Sequence, residues 1–320
     1  GLARILRSRA ATTDWSPLVE IQPSGSRPGF FCVHGGGGNV LIYRDLARHL
    51  GSGQPFYGLQ SQGLDGKQPL LERIEDMAAL YVKEIQRVQP RGPYFLGGYC
   101  MGGTIALEMA QQLNAQNEEV ALLALFDTLN WSNLSPGSPW KKAVYQVQRL
   151  VFHVQNFLLL SFKDRVRFLR AKLDVTRHRS SVWRGMLFGR LTNERSHQTE
   201  SSQLARIWKT NDRASLDYVA RPYPGMITDF RPMKQYARYK EGGLHWDELA
   251  LDGQEIVTLP VYPAGMLLEP FVRDLAAALR MSIEKAAHVA SVEGSRQVSY
   301  ELSPLRSAMN RGLPGATPAL

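Results

Sequence analysis

A cysteine stands among glycines in the stretch Gly97-Gly98-Tyr99-Cys100-Met101-Gly102-Gly103. The spacing is G-x-C-x-G, the pattern that carries a nucleophile on a sharp turn between a strand and a helix. The backbone of such a turn is strained, and a side chain at either glycine would collide with the neighbouring strand or helix. The preceding PYFL is apolar, and the following TIALEMAQQL repeats its apolar residues at three and four, so both flanking elements are in place. A thiol presented there can form a covalent acyl intermediate, because the N-terminus of the following helix stabilises the thiolate. Cys32, mid-strand in FFCV, reads instead as a small core residue.

Two further features fit acyl transfer. His34-Gly35-Gly36-Gly37-Gly38 directly follows an apolar strand, where a glycine-rich loop can aim a backbone N–H above the sheet. With the N–H of Met101 it would hold the oxyanion of a tetrahedral intermediate. His34 itself is expected to shape the loop. The loop has neither of the glycine patterns that cradle phosphates, which argues against nucleotide binding. Asp127 ends the apolar run VALLALFD, where a parallel strand delivers its last residue to the ligand edge of a sheet. An acid at that place can orient a histidine.

These residues need a parallel sheet to position them, and the chain has the alternation that builds one. Strands are expected at 29–35, 55–60, 93–99 and 120–127, with helices in VLIYRDLARHL, IEDMAALYVKEIQRVQ and TIALEMAQQL between them. The rhythm breaks at residue 131. Residues 131–205 hold a Trp/Ser/Pro/Gly loop, two long helical patterns and a polar stretch, the composition of an all-helical lid. Strand patterns return at 225–232 and 254–262, and the helix EPFVRDLAAALRMSIEKAAH closes the domain. The expected organisation is therefore a linker from an upstream domain at 1–16, a first core segment at 17–130, a lid at 131–205, a second core segment at 206–288 and a tail at 289–320.

Composition narrows the partners. The 320 residues carry a net charge of +9, but the basic residues are dispersed and no nucleic-acid motif accompanies them, so an acidic protein partner fits the charge better. No run of about 18 apolar residues occurs, which argues against a membrane span. Two cysteines cannot make a disulfide framework, and the N-terminal stretch lacks the apolar core of a signal peptide, so a cytoplasmic setting is expected.

The ordered pieces SPLVEIQPSGSRPGFFCVHGGGGN, QPFYGLQSQGLDG, QPRGPYFLGGYCMGG, ALFDTLN, ARPYPGMITDFRP and LPVYPAGMLLEPFVRDLAAAL resemble the thioesterase domains that end nonribosomal peptide and polyketide synthases. The likeness covers nearly the whole chain. It implies an α/β-hydrolase fold: a mostly parallel central sheet, helices on both faces and a helical lid insertion. It also implies Cys100 as nucleophile, Asp127 as orienting acid, and Gly36 and Met101 as oxyanion donors. The substrate would be an acyl or peptidyl thioester on the phosphopantetheine arm of an upstream carrier domain, with no cofactor or metal bound by this domain itself.

Two departures from the family pattern matter. Most members carry Ser where Cys100 stands. The family's histidine lies in a loop after the last strand, whereas Pro263-Ala264-Gly265-Met266-Leu267-Leu268-Glu269-Pro270 has none. Of the seven histidines, His49, His178 and His197 read as surface residues and His288 lies too far downstream. His153 falls on a polar stripe with Gln146, Arg149 and Asn156 in the first lid helix and is the first expectation for the base. His245, in GGLHWDELA, is the alternative, and a site with no histidine base stays open. Three functions follow: a chain-releasing thioesterase or acyltransferase, an inactive carrier-docking module, and a freestanding Cys-dependent ester or lactone hydrolase.

Overall fold

A computed structural model of the chain describes residues 15–129, 195–232, 246–261 and 265–309, with scattered positions between 147 and 173; for 195–202 and 293–309 it describes the backbone alone. Seven strands form one sheet: β1 (Leu18–Gln22), β2 (Phe30–Val33), β3 (Phe56–Leu59), β4 (Tyr94–Tyr99), β5 (Val120–Phe126), β6 (Ile227–Pro232) and β7 (Gln254–Leu259). Their order across the sheet is β1-β3-β2-β4-β5-β6-β7. Every pairing is parallel except that of β1 with β3. β1 was not among the expected strands. It is an edge strand, half-buried on both faces, and so carries no clean apolar alternation.

Helices cover both faces. α1 (Arg44–Leu50) and the long α5 (Val272–Met309) bury Leu46, Leu50, Leu275 and Leu279 against Phe30, Phe95, Phe126 and Phe230. On the other face, α2 (Ile74–Val88) and α3 (Met101–Ala115) pack on Phe31, Val33, Leu123 and Leu125. The alternation within β2 and β5 sends odd and even residues to opposite cores, as a doubly covered strand requires. α2 buries Ile74, Met77, Ala78, Tyr81, Val82 and Ile85, a spacing of three and four, and opens with Glu75 and Asp76 at its positive end.

Between β5 and β6 the chain returns to the sheet through α4 (Arg195–Asp217), which crosses residue 205, so core and insertion share one helix. Positions such as Val147, Phe162 and Leu173 within the insertion are helical; the rest of residues 130–194 lies outside the described residues. The stretch 289–309, expected as linker-like, instead continues α5. It holds one glycine and one proline, and its serines are spread among Ala, Val, Glu, Leu and Arg. Among the described residues no helix is long and apolar enough to cross a membrane.

Candidate active site

Cys100 joins β4 to α3 with φ 55° and ψ −122°, a conformation that costs a non-glycine residue of the order of 1–3 kcal/mol. Two backbone bonds hold it there: its N–H donates to the Phe126 carbonyl at 3.0 Å, and its own carbonyl accepts from Gly103 N–H at 3.0 Å. Cys100 is half-exposed, whereas Cys32 is fully buried and its thiol is pushed far up by desolvation. Position therefore separates a sulfur-bearing residue that solvent reaches from one that it does not.

The surrounding glycines are contact points. A Cβ on Gly98 would fall 2.1 Å from the Gly102 carbonyl carbon, and one on Gly102 would fall 2.4 Å from the Val33 oxygen. A Cβ on Gly103 would lie 2.1 Å from Thr128 Oγ1. Gly102 thus lets the start of α3 touch the strand leading into the glycine loop, and Gly103 lets it touch the residue after Asp127. Three elements that are remote in sequence meet at one helix N-terminus.

The glycine loop is pinned from both sides. His34 donates from Nδ1 to the Gly35 carbonyl at 2.7 Å, and Gly38 N–H donates to the same oxygen at 2.9 Å. In a trans peptide the N–H points opposite to the C=O, so the two donors on Gly35 also fix the direction of the Gly36 N–H. His34 Nε2 meets the Tyr81 hydroxyl at 2.8 Å. A carbonyl only accepts, so Nδ1 carries the proton and Nε2 accepts from Tyr81. Burial pushes the imidazole down to about 4, keeping it neutral. Both ring nitrogens are engaged in holding the loop.

From above, α4 closes on the same loop. Asn211, buried, donates from Nδ2 to the Gly36 carbonyl at 3.0 Å. The Trp208 indole lies against Gly36 and Gly37, whose Cβ positions would be 2.8 Å and 3.2 Å from the ring, and Ile207 presses on Gly38. Neither Trp208 nor Asn211 was expected from sequence. A polar residue on the buried face of an amphipathic helix was the available hint.

Asp127 follows β5 with φ 44°, a region that Asp tolerates, and its N–H extends the ladder to the Phe230 carbonyl at 3.0 Å. Since Cys100 N–H donates to Phe126, the sulfur-bearing residue and the acid sit on adjacent backbone positions across the β4–β5 edge. A second carboxylate lies one layer deeper. Asp229 is fully buried on β6, its Oδ2 accepting from Arg231 Nε at 2.5 Å and Gln254 Nε2 at 3.1 Å, while Oδ1 has no partner among the described residues. Desolvation, opposed by Arg231 and assisted by the charge of Asp127, pushes it up to about 6.

His153, His178 and His245 lie outside the described residues, and the side chain of His197 is likewise not described. His49, expected at the surface, is instead half-buried and bonds Glu269 at 2.7 Å; His288 is exposed on α5. Trp246, the residue after His245, is fully buried and donates from Nε1 to the Thr128 carbonyl at 3.2 Å, one residue beyond Asp127.

Comparison with known proteins places this site in a family. Residues 28–214 match the family model for the thioesterase domain. The chain is 41% identical over 127 residues to a dimodular nonribosomal peptide synthase of Bacillus subtilis, covering 40% of this chain and 5% of that protein. It is 33% identical over 178 residues to the nonribosomal peptide synthetase apvA of Aspergillus terreus, covering 55% and 18% respectively. The chain thus spans a small part of the relatives it matches. Among solved structures, the NocB thioesterase domain superposes with TM-score 0.57 at 22% identity over 83% of this chain and 99% of its own. The four-domain nonribosomal peptide synthetase AB3403 gives 0.61 at 22% identity over 88% of this chain and 21% of its own. The sheet, its covering helices and the matched span together establish that the chain has the α/β-hydrolase fold and belongs to the thioesterase-domain family.

Proposed function

We propose that this domain takes an acyl or peptidyl chain from the phosphopantetheine thioester of an upstream carrier domain onto Cys100 and then releases it. The observation that carries the reading is the strained Cys100, half-exposed at the start of α3, with its N–H on Phe126 beside Asp127 and the pinned glycine loop against the same helix end. The base takes the proton of the Cys100 thiol, the thiolate attacks the thioester carbonyl and a new carbon–sulfur bond forms. The N–H groups of Gly36 and Met101 receive the oxyanion. Collapse breaks the bond to the pantetheine sulfur, which leaves as a thiol after taking a proton from the base.

Asp127 orients that base. His153 and His245 are the candidates, and both lie outside the described residues. Residues 131–205 act as the lid over the acyl chain, and the +9 charge suits an acidic carrier.

Sulfur in place of oxygen has a consequence for release. Transfer from one thiol to another exchanges thioester for thioester, so the enzyme-bound acyl group keeps its activation. Cys100 therefore suits acceptors weaker or more strained than free water, and release by ring closure or ester formation accompanies hydrolysis. The experiment follows turnover of an acyl-loaded carrier by wild type, Cys100→Ala, His245→Ala and His153→Ala. Wild-type release that is lost in Cys100→Ala and in one histidine variant supports the reading. Carrier binding without acyl transfer would mark an inactive docking module, and preference for free esters a freestanding hydrolase.

A further inference from the structure

Tyr43 sits just beyond the glycine loop, in a single 3-10 turn, Leu41–Tyr43, and is fully buried. Its hydroxyl donates to the Val33 carbonyl at 2.5 Å and accepts the Tyr99 N–H at 3.0 Å. Val33 is the last residue of β2 before the loop that holds Gly36, and Tyr99 is the last of β4 before Cys100 and Met101. One oxygen atom therefore ties together the two strand ends that carry the two oxyanion donors.

The place of this oxygen in the ladder is unusual. Phe30 N–H bonds the Pro55 carbonyl and His34 N–H bonds the Leu59 carbonyl, so the even residues of β2 turn their amides to β3. By strand alternation Val33 turns its N–H and C=O to β4, where it is paired with Gly98. The next rung of a regular parallel ladder would run directly from Tyr99 N–H to the Val33 carbonyl. The phenol oxygen bonds both groups at that rung, accepting from Tyr99 N–H and donating to the Val33 carbonyl. The ends of the two strands are thereby tied through one side-chain atom where the crevice for the oxyanion begins.

We propose that Tyr43 is a positioning residue that sets the placement of the Gly36 and Met101 N–H groups by tying the ends of β2 and β4 together through its hydroxyl. The inference rests on the proposed acyl transfer to Cys100. Tyr43→Phe keeps the ring in its place against Phe56 and deletes the hydroxyl, and with it the tie between Val33 and Tyr99 and the contact with the Cys32 sulfur.

Two reactions at the same sulfur separate the possibilities. Acylation by a small acyl-pantetheine thioester develops an oxyanion; alkylation by iodoacetamide does not. Loss of one oxyanion donor costs roughly 10²–10³ in rate, and a partial misplacement is expected to cost about 10- to 100-fold. The expected result for Tyr43→Phe is acylation of Cys100 slowed by about that factor, with an unchanged half-saturating thioester concentration and alkylation within about twofold of wild type. Acylation and alkylation both unchanged would overturn the proposal. Both slowed equally would also overturn it, by showing that the hydroxyl merely holds the elbow together. A wild type that is alkylated at Cys100 but never acylated would overturn the acyl-transfer reading and this inference with it.

Discussion

Acidification tests how the oxyanion loop is held. The folded protein keeps His34 neutral to about 4, while the unfolded chain takes up its proton near 6.5. Protons therefore favour the unfolded state between those values. The stabilisation is fully present above pH 6.5 and is lost as pH falls toward 4. Between pH 7.5 and 4.5 the loss from this one group is about 2.5 kcal/mol, a large share of the stability of an ordinary domain. Asp229 works in the opposite sense: its folded carboxyl protonates near 6 and its unfolded one near 3.8, so the fold gains as pH falls through that window. The two partly cancel in the wild type, so the assay must be differential. His34→Asn keeps a donor near the Gly35 carbonyl and removes the titrating ring. Urea unfolding of both proteins at pH 7.5 and 4.5, followed by tryptophan fluorescence, should show His34→Asn less stable at pH 7.5, because the Tyr81 bond is gone. The gap should close or reverse by about 2.5 kcal/mol at pH 4.5. A gap that is the same at both pH values would refute a buried, neutral His34.

Two substitutions probe the contacts that gather the site. Gly103→Ala places a methyl 2.1 Å from Thr128 Oγ1, so it should cost about 1–3 kcal/mol in urea unfolding and slow acylation by moving α3 off the acid loop. Wild-type stability in that variant would show that the close approach is not needed. Asn211→Ala leaves the Gly36 carbonyl without its donor, worth about 1–3 kcal/mol, and should lower the acylation rate more than the affinity for thioester. An unchanged rate would separate α4 from the oxyanion loop.

The places of Cys100 and Asp127 in the fold were legible because each is tied to a local pattern. Cys100 is framed by glycines between an apolar run and an amphipathic helix, and Asp127 ends an apolar strand, so the sheet and its ligand edge could be derived together. The supports were not legible. Asn211 bonds a glycine 175 residues away in sequence, and only the fold reveals that pairing. Tyr43 reads from its spacing as one more buried aromatic, and its role depends on two strand ends that no local pattern couples. Asp229 sits in a strand whose alternation hides a carboxylate among apolar neighbours, a choice that propensity disfavours. The run-on of α5 past residue 288 was obscured by Gly294 and Pro304, both strong local breakers.

The most direct measurement is peptide-mapped mass spectrometry of the domain after brief exposure to an acyl-pantetheine thioester near neutral pH. The account predicts one acyl group, carried on the peptide containing Cys100, that disappears in Cys100→Ala and is discharged when an acceptor is supplied. An acyl group found on Cys32 or on a serine, or an unmodified Cys100 in a protein that still releases product, would contradict it.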